Sequence, residues 1–477
     1  MPSPPIAAIG LAMKSNPSQL IAAVHERFGP RAAITDPGDM EPWLTDWRGR
    51  FHGKTSGILA PASTEEVVAI VGLAAEHQVP LVPQGGNTSM VGGATPPPDG
   101  SALILSLRRM NRVRSVSAES NVAVVEAGVI LADLHQRAAA VGRRFPLTLG
   151  SRGSCTIGGL IATNAGGTQV LRFGTMRALV LGLEAVLPDG SVHNGLTALK
   201  KDNRGYSLDQ LLIGSEGTLG IITAAALRLV PAVAARAVAW VGVADPQAAL
   251  NLLRRIEGES ETVEGFEIIP ESSLELVLSH IPGTRSPLAG KHRWHVLIEA
   301  TSPLASEPPD SELQRMLGEA LAHGQIEDAA MASNEAQAAG FWHIRDSISE
   351  AERATGGSIA HDISVPVEDM PRFMVAAAAV VERAFPGVEV AAFGHLGDGN
   401  VHFHVRLGDD ASAPAITRMV HDLVTAAGGS ISAEHGIGQM KLDEFERLAP
   451  PGRIGALRSI KHALDPQGLM NPGKLVR

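Results

Sequence analysis

The chain has 477 residues, 44% hydrophobic and 19% charged, with a formal net charge of −10; that length exceeds one ordinary core and implies two or more lobes. The acidic balance, the absence of a Lys/Arg run and an aromatic content of 4% exclude a nucleic-acid binder built on basic stripes or stacking platforms. The single cysteine, Cys155, excludes an intrachain disulfide and suits a reducing compartment.

The opening residues MPSPPIAAIGLAMKSNPSQL lack a basic region followed by a long apolar run and make a poor signal peptide. No apolar run reaches the roughly 18 residues of a membrane span. A cytoplasmic enzyme is the expectation. SQLIAAVHER has helical spacing with Ser18 as its cap, and Trp43 and Trp47 lie four apart and are expected to pack. From Gly57 the pattern alternates: a strand in GILAPAS, then a helix in STEEVVAIVGLAAEHQ with a capping box of Ser63 and Glu66. A strand follows and leads into a loop holding Gly85, Gly86, Gly92 and Gly93 around Asn87, Thr88 and Ser89. Strands in ALILSL and VAVVEAGV flank further helix, which indicates an α/β or α+β lobe.

A second glycine-rich stretch, FPLTLGSRGSCTIGGLIATNAGGT, spans residues 145–168. Small residues at this density let backbone approach a ligand, and their N–H groups can cradle phosphate oxygens; either loop alone is more often a tight turn system than a cofactor cradle. Neither fits G-x-x-x-x-G-K-[ST], and neither is a clean G-x-G-x-x-G. LVLGLEAVLPDGSVHNG reads as a hairpin, and LDQLLIGSEGTLGIITAAALRLVP as a strand–turn–strand unit. Beyond Pro231, residues 235–300 read as strand, helix, strand, strand. Helices then a strand, SIAHDISVPV, precede another helix with an Ala-rich core-facing run. The tail ends in an exposed-looking turn with Asn471, Pro472, Gly473 and Lys474.

HLGDGNVHFHV, residues 395–405, and SAEHGIGQM, residues 432–440, carry the densest chemistry. Strand alternation puts His402 and His404 on one face and Phe403 and Val405 on the other. The intervening loop turns His395 back toward His402, and Glu434 adds a carboxylate from elsewhere. Two imidazoles and a carboxylate leave open positions on a zinc-like ion. His435, next to a ligand, is either a general base or the residue that orients Glu434. Arg345 can pair bidentately with a substrate carboxylate, or form a surface ion pair with Asp346 or Glu350.

The motifs PQGGNTSMVGG, PLTLGSRGSCTIGGLIATNAGG and LIGSEGTLGIIT resemble the FAD-binding domain of the vanillyl-alcohol oxidase superfamily. HLGDGNVHFHV, SAEHGIGQMK and LDPQGLMNPGK resemble its 2-hydroxyacid dehydrogenase branch, which includes D-2-hydroxyglutarate, D-lactate and glycolate dehydrogenases. The resemblance runs from about residue 40 to the C-terminus. It implies an α+β architecture: a bipartite FAD-binding domain over 1–232, an antiparallel-sheet substrate domain over 233–444 carrying the metal site, and a helical segment, 445–477, returning to the flavin.

The resemblance further implies that FAD is held by Pro83, Gly85, Gly86, Asn87, Thr88 and Gly92 of the first loop. Pro146, Ser151, Gly153, Ser154, Thr156, Gly158, Gly159, Ala162, Asn164 and Gly166 continue that path, with Gly217, Ile222 and Asn471 near other parts of the cofactor. The first loop has no histidine for a covalent link, so the flavin is expected to dissociate. By the same resemblance His395, His402 and Glu434 hold Zn²⁺, with Mn²⁺ or Co²⁺ as alternatives. His435 is the base; Arg345, Ser349 and His404 face the substrate, and a hydride passes to flavin N5. The implied acceptor of the electrons is an electron-transfer flavoprotein or a quinone, and a homodimer is an allowed assembly.

The chain departs from the family pattern twice. Ala360 stands where a lysine is expected near a substrate carboxylate, and His404 where asparagine is usual. Either the substrate differs or another cation, such as Arg285 or Lys441, compensates. D-2-hydroxyglutarate is the first choice of substrate, with D-lactate and glycolate behind it. A flavin-binding subunit without its own chemistry and an oxygen-using oxidase are the readings from other classes.

Overall fold

The computed structural model describes residues 15–197, 199, 201–406 and 411–477, so most of the opening stretch read for a signal pattern lies outside the described residues. The N-terminal part holds two sheets. One is four-stranded, in the order Ala33–Ile34, Ile58–Leu59, Leu103–Ser106, Leu81–Gln84, parallel apart from its first pair. The other is antiparallel and five-stranded, running Val113–Ser117, Val122–Glu126, Ile221–Arg228, Val180–Val186, Val192–Asn194.

A seven-stranded antiparallel sheet forms the rest, in the order Asp328–Met331, Ala235–Val243, Trp294–Ser302, Val263–Pro270, Glu389–His395, Asn400–Arg406, Ile359–Ser364. Its strands are apolar on both faces because helices cover both. Ala239, Val241, Phe403 and Val405 pack on one side with Leu253, Leu317 and Val420. Trp240, Ile269 and Phe393 pack on the other with Val277, Phe341 and Ile344. Mixed helix and antiparallel sheet, in two parts, is the expected α+β architecture.

Ser63 caps the helix Thr64–His77 as read, accepting from the Glu66 N–H, while Glu66 accepts from the Ala62 N–H at 2.8 Å. Other local readings are corrected. The first helix, Pro17–Phe28, is capped by Asn16 and not Ser18, because Pro17 takes the first helical position, where its missing N–H costs nothing. Trp47 is exposed and does not pack with Trp43, which stacks under the Arg108 guanidinium at 4.0 Å. The short apolar run at 208–212 is a helix, Leu208–Leu212; so brief a run does not separate helical from strand period. A further helix, Glu271–His280, follows Pro270.

The tail is the largest correction. Asn471 and Lys474 are each only 2% exposed. The Leu81 N–H donates to the Leu469 carbonyl and the Asn471 N–H to the Leu81 carbonyl, both at 2.8 Å. Met470 thereby extends the first sheet as a parallel bridge to Leu81. A turn-rich tail looks exposed in sequence because nothing local shows that a strand edge awaits it.

Candidate active site

Strand register builds the site. Glu267 lies opposite His395, Ala360 opposite His404 and Asp362 opposite His402. Direct cross-strand partners share a face, so these six side chains converge on the side covered by the helices Glu335–Asp346 and Ile348–Ala354. The ligand atoms of His395, His402 and Glu434 lie within 4.8 Å of one another.

The ring of His395 is oriented from behind. Its Nδ1 meets Glu267 Oε1 at 2.5 Å, leaving Nε2 to face Glu434 Oε1 at 3.9 Å. Glu267 also takes the Arg345 Nε–H at 2.8 Å. Burial opposes the charge on Glu267, but Arg345 and His395 override it and hold its carboxyl down at about 2. Burial likewise opposes charge on His395, and the Glu267 carboxylate overrides it, raising the imidazole to about 9. Burial pushes Glu434 up to about 7, and it holds His402 well below its ordinary value together with the charges of His395 and Arg345.

Arg345 is not a surface residue: its side chain is 13% exposed and Asp346 stands off at 4.0 Å. Its Nη2 lies 3.3 Å from His395 Nε2 and 3.5 Å from His402 Nε2. A guanidinium nitrogen thus lies against both imidazole Nε2 atoms, which offer lone pairs only when the rings are neutral. That placement, with the carboxylate-backed imidazole, fits the donor set of a divalent cation.

Asp362 organises the other half. One oxygen accepts from Asn400 Nδ2 at 3.0 Å; the other accepts the backbone N–H groups of Glu434 and His435 at 2.9 and 3.0 Å. His435 Nδ1 lies 3.3 Å from the same oxygen. Burial opposes the charge of Asp362, yet His435 and Lys441 hold its carboxyl far below the usual range. Burial lowers His435, against the pull of Asp362. His404 pairs through Nδ1 with Glu352 at 2.5 Å and packs edge-on against Phe393.

The dipeptide Glu434–His435 stands between two cavities. The smaller, about 220 Å³, is lined by Ser349, Ala360, Asp362, His402, His404 and His435, with Arg48 and Arg50 also on its wall. The larger, about 520 Å³, is bounded by Asn164, Glu216 and Glu434 among others. Of the two cations proposed to replace the missing lysine, Lys441 is committed elsewhere. Its amine donates to the carbonyls of Ile431 and Asp362 and to Ser432 Oγ, at 2.8, 3.3 and 3.1 Å. Arg285 is exposed and does not line this cavity.

The glycine loops meet each other. A Cβ on Gly85 would stand 2.1 Å from the side-chain Oγ1 of Thr156, and one on Gly86 at 2.1 Å from the Ser154 carbonyl, where two backbones touch. Pro83 backs Gly217, and Gly166 lies beneath Glu434, 3.6 Å from its Oε1 to an ideal Cβ. Gly92 and Asn87 have positive φ, and the Asn87 amide donates to the Thr45 carbonyl at 2.9 Å, which leaves its backbone for a ligand. Thr88 follows in the same loop. Ser151 and Gly153 sit in the turn before Thr156; Gly158, Gly159 and Ala162 lie on the helix Ile157–Ala162, and Asn164 just beyond it. Pro146 and Ile222 are buried, the latter within the core of the five-stranded half.

Asn471 Nδ2 donates to the Gly93 and Glu216 carbonyls at 3.0 and 2.6 Å. Thr156 Oγ1, Ser215 Oγ and Asn471 Oδ1 are buried with no protein partner. Buried polar atoms are rarely left so, and a ligand rich in hydrogen-bonding groups, as FAD is, fits them.

Several residues that hold the site were missed from sequence. Glu267 and Glu352 lie far from the histidine motifs and carry no motif of their own; Asp362 sits inside the SIAHDIS strand, where a carboxylate beside a histidine is the available signal. Glu216 is another. Its carboxylate, in a buried turn of the N-terminal part, accepts the Ile437 and Gly438 N–H groups at 2.7 Å each. It pins the loop that carries Glu434 and His435. Glu216→Ala leaves two buried donors unpaired, at roughly 1–3 kcal/mol each, and is expected to lower the denaturant midpoint with an unchanged m-value.

An FAD binding domain model matches residues 55–195, and a model of the FAD linked oxidases, C-terminal domain, matches 233–475. Mitochondrial D-2-hydroxyglutarate dehydrogenase from Arabidopsis thaliana is 36% identical over 463 residues, covering 96% of this chain and 82% of the relative. The same enzyme from Bos taurus is 38% identical, covering 95% and 83%. Among solved structures, alkyldihydroxyacetonephosphate synthase shares the fold with a TM-score of 0.74 at 18% identity, over 100% of this chain and 89% of that one.

These names correct the expectation of a cytoplasmic location, since both relatives are designated mitochondrial. A lone cysteine speaks for reducing surroundings and does not tell one such compartment from another. Two flavoprotein domains in this order, with relatives matched over nearly the whole length, place the chain in its family: it belongs to the FAD-linked oxidases.

Proposed function

We propose that the chain oxidises a D-2-hydroxyacid to its 2-oxoacid, with D-2-hydroxyglutarate the first candidate. The observation that carries this reading is the convergence of His395, His402, Glu434, Arg345 and the Asp362–His435 pair on one site, the last two lining the smaller cavity. Relatives named for that oxidation support it. Pro83 through Thr88, the turn through Thr156, and Asn471 would hold dissociable FAD, and His395, His402 and Glu434 would hold Zn²⁺ or a similar divalent cation. When bound, the flavin supplies a hydride acceptor and the metal a Lewis acid.

The chain's own residues do the rest. His435 Nδ1 faces the Asp362 carboxylate, which fixes the tautomer that presents Nε2 as a proton acceptor. It removes the hydroxyl proton of the substrate. Arg345, held by Glu267, offers its remaining N–H groups to the α-carboxylate. Ser349 and His404, the latter fixed by Glu352, shape the wall beside it. Phe393, Met90 and Val91 line the cavity and help exclude water. The partner that would take up the electrons is an electron-transfer flavoprotein or a quinone.

Anaerobic mixing with D-2-hydroxyglutarate is expected to bleach the flavin, with D-lactate and glycolate slower. Strong bleaching by lactate and none by hydroxyglutarate moves the assignment to a D-lactate dehydrogenase. Bleaching by none of them refutes the reading.

A further inference from the structure

We infer that Arg48, with Arg50 beside it, is the specificity-determining cation of the small cavity: it receives a second carboxylate on the substrate, at the end away from the reacting carbon. This rests on the 2-hydroxyacid reading above and names the substrate class more closely, as a 2-hydroxy diacid.

The charges of this cavity are unevenly satisfied. Asp362 accepts three N–H groups, Glu352 holds His404, and the Lys441 amine makes three contacts. The two arginines differ. Among the described residues no carboxylate pairs with either guanidinium. The one side-chain partner is Met440 Sδ, 3.5 Å from Arg50 Nη1, and Arg48 bonds to Asp46 only through its backbone N–H. Both residues are exposed where they meet the cavity, and the like charges of Arg50 and Arg353 act on Arg48 more strongly than the opposite charges of Asp46 and Glu352. Two guanidinium groups on one cavity wall, with no carboxylate on either, leave their donors to water or to an anion that enters the cavity.

The placement suits the second carboxylate rather than the first. Met90, Val91, Phe393 and Met440 line the same cavity as the arginines and the histidines, which suits a short methylene chain. Ala360, opposite His404 on the sheet, brings no charge from its side of the wall. A volume near 220 Å³ admits a small acid and is below the usual range for drug-sized ligands. The guanidinium fork matches a carboxylate in two parallel hydrogen bonds, which an alkyl end cannot make.

The test compares the FAD-loaded wild type with R48Q/R50Q by anaerobic flavin reduction. The substrates are D-2-hydroxyglutarate and D-2-hydroxyvalerate, which have the same chain length and differ in the terminal carboxylate. The ratio of kcat/KM for the diacid over the monoacid is expected to exceed one in the wild type and to fall at least about ten-fold in the variant, mostly through KM. Titration with the 2-oxo products, read from the flavin visible band, is expected to show the same loss of preference. An unchanged ratio, or a wild type that prefers the monoacid, overturns the inference while leaving the oxidation itself intact. Reduction by neither acid overturns the functional reading, and this inference with it.

Discussion

Chelation of the FAD-loaded enzyme is expected to lower turnover on the order of 10³-fold, with Zn²⁺ restoring it and the flavin retained throughout. The magnitude follows from the proton transfer, since deprotonating an alcohol near neutral pH needs several kcal/mol of charge stabilisation, and each 1.36 kcal/mol is about ten-fold. His402→Ala is expected to reproduce the loss without restoration by metal, because His402 and His395 are the two imidazoles of the cluster. The rival is internal. Arg345 already directs Nη2 at both imidazoles, at 3.3 and 3.5 Å, and a guanidinium is a permanent positive charge. If chelator leaves the rate unchanged and no metal is found in stoichiometric amount, Arg345 is the electrophile and the metal reading is wrong.

His435→Gln is expected to reduce kcat by about 10²–10⁴-fold, the usual contribution of a positioned base, with a much smaller change in KM. Glutamine keeps a polar group near Asp362 and so limits damage to the loop. Asp362→Asn tests the orientation argument separately. It leaves one acceptor oxygen to serve the Asn400, Glu434 and His435 N–H groups and the imidazole, and is expected to cost both turnover and stability. Stopped-flow bleaching separates these effects from product release, and exogenous imidazole is expected to restore part of the rate to His435→Ala. A His435→Gln enzyme that bleaches its flavin at the wild-type rate leaves His435 as the residue that orients Glu434 and not the base.

Much of the site could be read from the chain because it rests on short-range patterns. Strand alternation in VHFHV places His402 and His404 together and sends Phe403 into the core. The tight loop from Leu396 to Gly399 returns the chain so that His395 and Asn400 pair. The capping box at Ser63 is equally local. The failures are non-local. Nothing near Lys474 in sequence shows that the tail joins a sheet whose other strands lie hundreds of residues away. Lys441 and Arg285 are cations by residue type alone, and which cation has a free donor depends on neighbours that only folding supplies.

The histidine–glutamate cluster follows from motifs whose period and spacing carry the geometry, and the flavin family and the two-part α+β architecture from the resemblance that the contiguous motifs bear to a known family. What stands behind and across from that cluster came from tertiary packing: Glu267 against His395, Glu352 against His404, Asp362 under His435, Glu216 holding the loop from the other domain. Packing also brought Arg48 and Arg50, from a segment with no motif at all, to the same cavity. The physical reason is range. Backbone period acts over a few residues, whereas a buried charge is set by whatever the fold brings within a few ångströms of it, from anywhere in the chain.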